Sequence, residues 1–161
     1  MKRPENKRKE TFLSGMPEIT IEALQDKFQN NLRFSFRFFD NSQSAGQDFK
    51  DWSHEQLYKL FDKLKQYCHE PMNYWLSQPI GSGRGRKHVL EIYGRFPVKS
   101  DFIHPKFIPL DVDWARFRLE HDMRLIGFIV SQENCTQFCL QANTFYVVFL
   151  DELHKFYKSG T

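Results

Sequence analysis

No stretch of this 161-residue chain holds the 18 or more consecutive apolar residues that a membrane-spanning helix needs. Its first ten residues, Met-Lys-Arg-Pro-Glu-Asn-Lys-Arg-Lys-Glu, offer the basic end of a signal peptide without the apolar stretch that must follow. A cytoplasmic protein with no membrane partner is therefore expected. Cysteine is scarce and odd in number: Cys68, Cys135 and Cys139 form no CxxC, so neither a disulfide framework nor a zinc ribbon is indicated. An excess of one charge is missing too. The 23 Lys and Arg face 20 Asp and Glu, and five of the bases with two of the acids lie in Met1 to Glu10, leaving eighteen of each. A neutral body excludes a histone-like protein that binds nucleic acid over its whole surface, so any anion site must be local. Internal repeats, low-complexity tracts and a P-loop Gly-Lys-Ser/Thr are absent as well.

What the chain does have is rings: 17 Phe, with aromatics at 16% of residues, point to a core packed by aromatic side chains. At 19.3 kDa one domain is expected. Residues 1–17, polar and without periodicity, read as a mobile basic tail, and residues 18–161 as a single α+β domain. Thr20 can cap a short N-terminal helix bearing Ile21, Leu24 and Phe28 at helical spacing. Leu32 to Asp40 alternates Leu32, Phe34, Phe36 and Phe38 against Arg33, Ser35 and Arg37, the period of a half-buried strand. Ser53-His-Glu-Gln56 has capping-box spacing, and Leu57, Leu60, Phe61, Leu64 and Cys68 follow as the apolar face of the main helix, with Cys68 read as core. Another helical turn or two is expected over Met72 to Leu76 and a short strand over Val89 to Tyr93, within otherwise irregular structure from Ile80 onward. Three strands, Trp114 to Leu119, Arg124 to Val130 and Thr144 to Leu150, complete the chain, the first two joined as a hairpin through Glu120-His-Asp122. The predicted fold is an antiparallel sheet of four to five strands with one amphipathic helix packed on one face.

Two regions carry candidate chemistry. Ile80 to Ser100 holds Arg84, Arg86, Lys87, Arg95 and Lys99 against Glu91 alone, a local +4 interleaved with four glycines. Such a backbone can approach phosphates closely, so Arg84, Arg86, Lys87, His88 and Arg95 are candidate RNA contacts, with a solvated loop as the plain alternative. Asp111, Asp113, Glu120 and Asp122 lack metal-ligand spacing and read as turn and strand-end residues.

The second region is Trp114-Ala-Arg-Phe-Arg-Leu-Glu-His-Asp-Met-Arg-Leu-Ile-Gly-Phe-Ile-Val130, followed by Phe145-Tyr-Val-Val-Phe-Leu-Asp-Glu-Leu-His-Lys-Phe-Tyr157. A Trp-x-Arg-x-Arg strand, a tight hairpin, an Arg-Leu-Ile strand and an apolar strand ending in His-x-x-Tyr resembles the C-terminal half of RelE/ParE-type toxins. The chain is longer than the usual member of that family, inserts Met72 to Val112 between helix and hairpin, and lacks the arginine that many nucleolytic members place in the final strand. The resemblance implies an endoribonuclease of a toxin-antitoxin or phage-defence system, acting on free or ribosome-bound RNA and paired with a protein antitoxin. It implies no cofactor and no metal, because the substrate's own 2'-hydroxyl is the nucleophile. On that reading Arg118 and Arg124 would hold the phosphate, and His154 and Tyr157 would supply acid or base. Without the resemblance, Arg118 and Arg124 could equally pair with Glu120 or Asp122 across the turn, and the whole could be a non-catalytic RNA- or protein-binding module on the same fold.

Overall fold

Ser53 starts the main helix as its spacing predicts. Its Oγ accepts from the Gln56 amide at 3.2 Å while Gln56 Oε1 accepts from the Ser53 amide at 2.8 Å, which satisfies two of the donors a helix start leaves open. The computed structural model describes residues 6–81 and 84–158. Along the chain run helices α1 (Lys7–Ser14) and α2 (Ile21–Phe28), strand β1 (Arg33–Ser35), a 3-10 turn (Phe49–Asp51), helices α3 (His54–Tyr67) and α4 (Met72–Ser77), strands β2 (Pro79–Ile80), β3 (Lys87–His88), β4 (Leu90–Gly94), β5 (Asp113–Arg118) and β6 (Arg124–Ile129), helix α5 (Gln132–Phe138) and strand β7 (Thr144–Asp151). None of the helices is long and apolar enough to cross a membrane among the described residues.

The fold is α+β, built on a five-stranded sheet in the order β1-β7-β6-β5-β4, with β2 and β3 forming a separate ribbon. The sheet is mixed and not purely antiparallel, because β1 runs parallel to β7. Helix α3 buries Leu60, Leu64 and Tyr67 in one core with Phe117, Leu125, Phe145 and Leu150 of the sheet. Tyr67 anchors it: the ring stacks on Phe117 at 4.8 Å, and the hydroxyl donates to the Arg118 carbonyl at 2.6 Å. Cys68, expected in this core, is exposed at the helix end, as is Phe61 on its flank. The stripe turned to the sheet runs through 60, 64 and 67, and a 3.6-residue period carries 61 and 68 off its side.

The opposite face of the sheet is also covered. Trp114, Ile126, Phe128 and Phe149 pack there with Phe102, Ile108, Leu140 and Phe156 in a second core. The inserted stretch Met72 to Val112 supplies α4 and edge strand β4, close to the helical turns and short strand the sequence predicts there, and adds the β2–β3 ribbon and a loop that roofs this face in place of irregular chain. Two other expectations change. Residues Lys7–Ser14 of the predicted tail form a helix capped by Asn6, with no buried side chain, while residues 1–5 lie outside the described residues. The predicted strand Leu32 to Asp40 is a strand only over Arg33–Ser35. Beyond it the chain turns around the sheet edge. Phe34 packs against Phe117 at 5.3 Å on the helix side, whereas Phe38 packs against Phe128, also at 5.3 Å, on the far side.

Candidate functional site

Strand alternation places the site. Trp114, Arg116 and Arg118 of β5 share the face opposite α3, and β6 sets Ile126 beside Arg116 and Arg124 beside Arg118. Toward β4, Glu91 is the register partner of Arg116 and forms an ion pair with it. The aromatic roof covers the Trp114 end of this face and leaves the arginine end open as a cleft of about 410 Å³. Lys87, Glu91, Tyr93, Arg116, Arg124, Ile126, Asp151, His154, Phe156, Tyr157 and Lys158 line it.

Two of the cations are deeply buried, Arg116 at 6% and Arg124 at 3% exposure. Arg124 Nη1 donates to the carbonyls of His121 (3.1 Å) and Met123 (2.9 Å), so the hairpin backbone fixes its guanidinium. Burial first, then the neighbouring charges of Arg118 and Arg116, bring that guanidinium down to about 10. Arg116 Nη1 and Arg118 Nε are buried with no hydrogen-bond partner. A buried donor without a partner has lost its water and gained nothing in return. Arg116 lines the cleft, so its open donor favours an oxyanion there.

Asp151 shapes the wall. Fully buried at the end of β7, it accepts from the amides of Lys155 and Phe156, both at 2.9 Å, and so turns the chain into a tight loop. That loop seats Phe156 in the second core and holds His154 in the left-handed region at φ +55°. Arg124 Nη2 lies 3.3 Å from His154 Nε2, and the same nitrogen lies 3.2 Å from Asp122 Oδ1. These contacts exclude each other: an unprotonated Nε2 accepts from Arg124, and a protonated one donates to Asp122. The hydrogen bond from His154, with its charge behind it, holds the Asp122 carboxyl below the usual carboxylate range. Tyr157 stacks on Tyr93 at 4.7 Å with the rings 4° apart, and burial pushes the Tyr93 phenol up to about 12.

Replacing Asp151 by alanine is expected to cost about 2 kcal/mol, since one buried and one half-buried amide lose their acceptor. Asp151→Asn, which keeps one acceptor oxygen, should lose about half as much. Urea denaturation of the three proteins measures this; equal stability of all three would show that the loop does not depend on the carboxylate.

Of the residues singled out in the sequence, Arg124, His154, Tyr157 and Lys87 meet in the cleft. Arg118 shares the same sheet face and depresses Arg124 but does not line the cavity. Arg84, Arg86, His88 and Arg95 are exposed and also stand outside it, so of the five candidate RNA contacts Lys87 alone lines the site. The cross-turn ion pairs weighed for Arg118 and Arg124 do not form among the described residues. Glu120 instead takes Lys59 at 3.3 Å, and Asp122 takes His154. Asp111 and Asp113 are exposed, and no group of three or more His, Cys, Asp or Glu is placed to hold a metal among the described residues.

Sequence reasoning passed over Arg116, Glu91, Tyr93 and Asp151. For Arg116 a signal existed. It alternates with Trp114 and Arg118, and a strand's two-residue period puts all three on the face that carries Arg124. Set against models of protein families, curated proteins and solved structures, the chain matches none.

Proposed function

We propose that the cleft cleaves RNA in the manner of a toxin-like endoribonuclease, without a metal, through the substrate's own 2'-hydroxyl. The observation that carries this reading is the placement of one imidazole, His154, against a buried arginine pair in a single cavity. Each part has a task. Arg116 and Arg124 hold the non-bridging oxygens of the scissile phosphate and stabilise the charge that grows on them. His154 takes the 2'-hydroxyl proton, and its protonated Nε2 then donates to Asp122, which stabilises the imidazolium. The 2'-oxygen bonds to phosphorus, the bond to the 5'-oxygen breaks, and that oxygen receives a proton from Tyr157. The products are a 2',3'-cyclic phosphate and a free 5'-hydroxyl.

A protein antitoxin that masks the cleft, and ribosome-bound RNA as the natural substrate, belong to the same reading. A single 2'-deoxy sugar at the cleaved position should abolish cutting there, because the nucleophile is gone, while chelator should leave the rate unchanged. Gel analysis of a labelled RNA with and without the deoxy residue decides it. Cutting that survives the deoxy substitution rejects the mechanism; salt-sensitive RNA binding with no cutting supports a non-catalytic binding module on this fold.

A further inference from the structure

The side chains that line the cleft include four cations, Lys87, Arg116, Arg124 and Lys158, against two carboxylates, Glu91 and Asp151, an excess of two where a single bridging phosphate supplies one negative charge. Glu91 is committed to Arg116, and both carboxylate oxygens of Asp151 are occupied by backbone amides. Arg124 and Lys87 have no carboxylate partner among the described residues, and Lys158 pairs with Asp101, which does not line the cleft. With Arg116 Nη1 lacking an acceptor, the floor is short of oxygen atoms as well as negative charge. A phosphodiester brings one charge and two free oxygens. A terminal phosphate brings about −1.5 to −2 and three.

The rim supplies a second element. One face of Tyr157 is covered by Tyr93, yet the residue stays 51% exposed, so its outer face is open to a flat ligand. A nucleobase stacks on such a ring whatever its sequence identity. The cavity, about 410 Å³, falls in the size range of pockets that enclose one small ligand.

We infer that the cleft is a mononucleotide site, holding a terminal phosphate over Arg116 and Arg124 with the base stacked on Tyr157. The inference rests on the reading of the cleft as a phosphate site for RNA and adds that the end left by cleavage is retained once water has bonded to phosphorus, the bond to the 2'-oxygen has broken and that oxygen has taken the water's proton, leaving a 3'-phosphate. RNA ends of this kind then act as product inhibitors, and occupancy by them would regulate turnover.

Calorimetric titration of the full chain with adenosine 3'-monophosphate, its 3'-methyl diester, inorganic phosphate and adenosine tests this. The monophosphate should bind about tenfold or more tightly than inorganic phosphate, the share contributed by stacking, and severalfold more tightly than the methyl diester; adenosine alone should not register. Tyr157→Ala should reduce the nucleotide to the affinity of inorganic phosphate, whereas Tyr157→Phe, which keeps the ring, should bind it unchanged. Glu91→Gln should tighten inorganic phosphate severalfold by removing the one competing carboxylate on Arg116. Lys87→Ala should weaken it. Lys87 is exposed, so its removal leaves folding intact, whereas Glu91→Gln unpairs the buried Arg116, and melting temperatures measured in parallel confirm that the variant is folded before its affinity is compared.

Equal affinity for monoester and diester, or a Tyr157→Ala protein that binds like wild type, overturns the inference. RNA cutting without nucleotide binding rejects it and spares the proposed function. Nucleotide binding without cutting does the reverse.

Discussion

Gly127→Ala is expected to leave little folded protein in the soluble fraction. Gly127 lies in β6, between β5 and β7, where the β6–β7 register shifts between Ile126 and Gly127. A Cβ there would lie 2.1 Å from the Tyr146 carbonyl oxygen, 2.7 Å from Phe145 Cε1 and 2.9 Å from the Tyr146 carbonyl carbon. Two of these three atoms are backbone of the paired strand, so relief requires β7 to move away and break its ladder. The cost should reach about 4 kcal/mol or more, the range that only core or backbone disruption attains, and a large part of the whole stability of a domain this size. Gly15→Ala is the control, because its added Cβ meets nothing nearer than 3.6 Å. Soluble yield and urea denaturation of the two variants compare the positions. A Gly127→Ala protein as stable as wild type would show that β6 and β7 are not paired in this register.

His154→Asn is expected to lower RNA cleavage by about 10²–10⁴-fold, the usual contribution of a positioned general acid or base. Asparagine is the better replacement than alanine. His154 sits at φ +55°, a conformation asparagine tolerates and alanine resists, so the loop held by Asp151 should keep its course. The side chain is 47% exposed and its contacts are polar, so thermal stability should change little while the titrating group is lost. Single-turnover rates on one RNA, with melting temperatures measured in parallel, separate chemistry from folding. Undiminished cleavage by a well-folded His154→Asn protein would remove the imidazole from the mechanism.

Legibility from sequence depended on whether a pattern reported its own neighbourhood or a distant one. The Ser53 capping box, the β5–β6 hairpin and the long apolar β7 are local devices, and the chain forms each where its residues indicate. The Leu32 to Asp40 alternation misled because its phenylalanines serve two cores. Ser35 accepts from the Arg37 amide at 3.4 Å, and the Phe39 amide donates to the Phe36 carbonyl at 3.1 Å, which bends the chain over the edge of β7. Nothing in a two-residue period announces that bend. The site was half legible for the same reason. Arg124, His154 and Tyr157 stand at the ends of recognisable strands, but the value of Arg116 depends on Glu91 across the sheet and on the aromatic roof that closes one end of the face. Glu91 lies in a short strand that the sequence does indicate, but its pairing with Arg116 and the closing of the face by Phe102, Ile108 and Phe156 join residues distant in sequence.

The passage of residues 34–38 over the sheet edge bears on how the molecule comes apart. Two aromatic cores on opposite faces of one sheet would permit each layer to open separately, as foldons of different stability. Here a single short segment lodges Phe34 in one core and Phe38 in the other, so neither layer can loosen without pulling the same five residues out of its neighbour. Amides of β6 and β7 should therefore exchange with solvent together, at the rate of global unfolding, and heat should melt both layers in one transition.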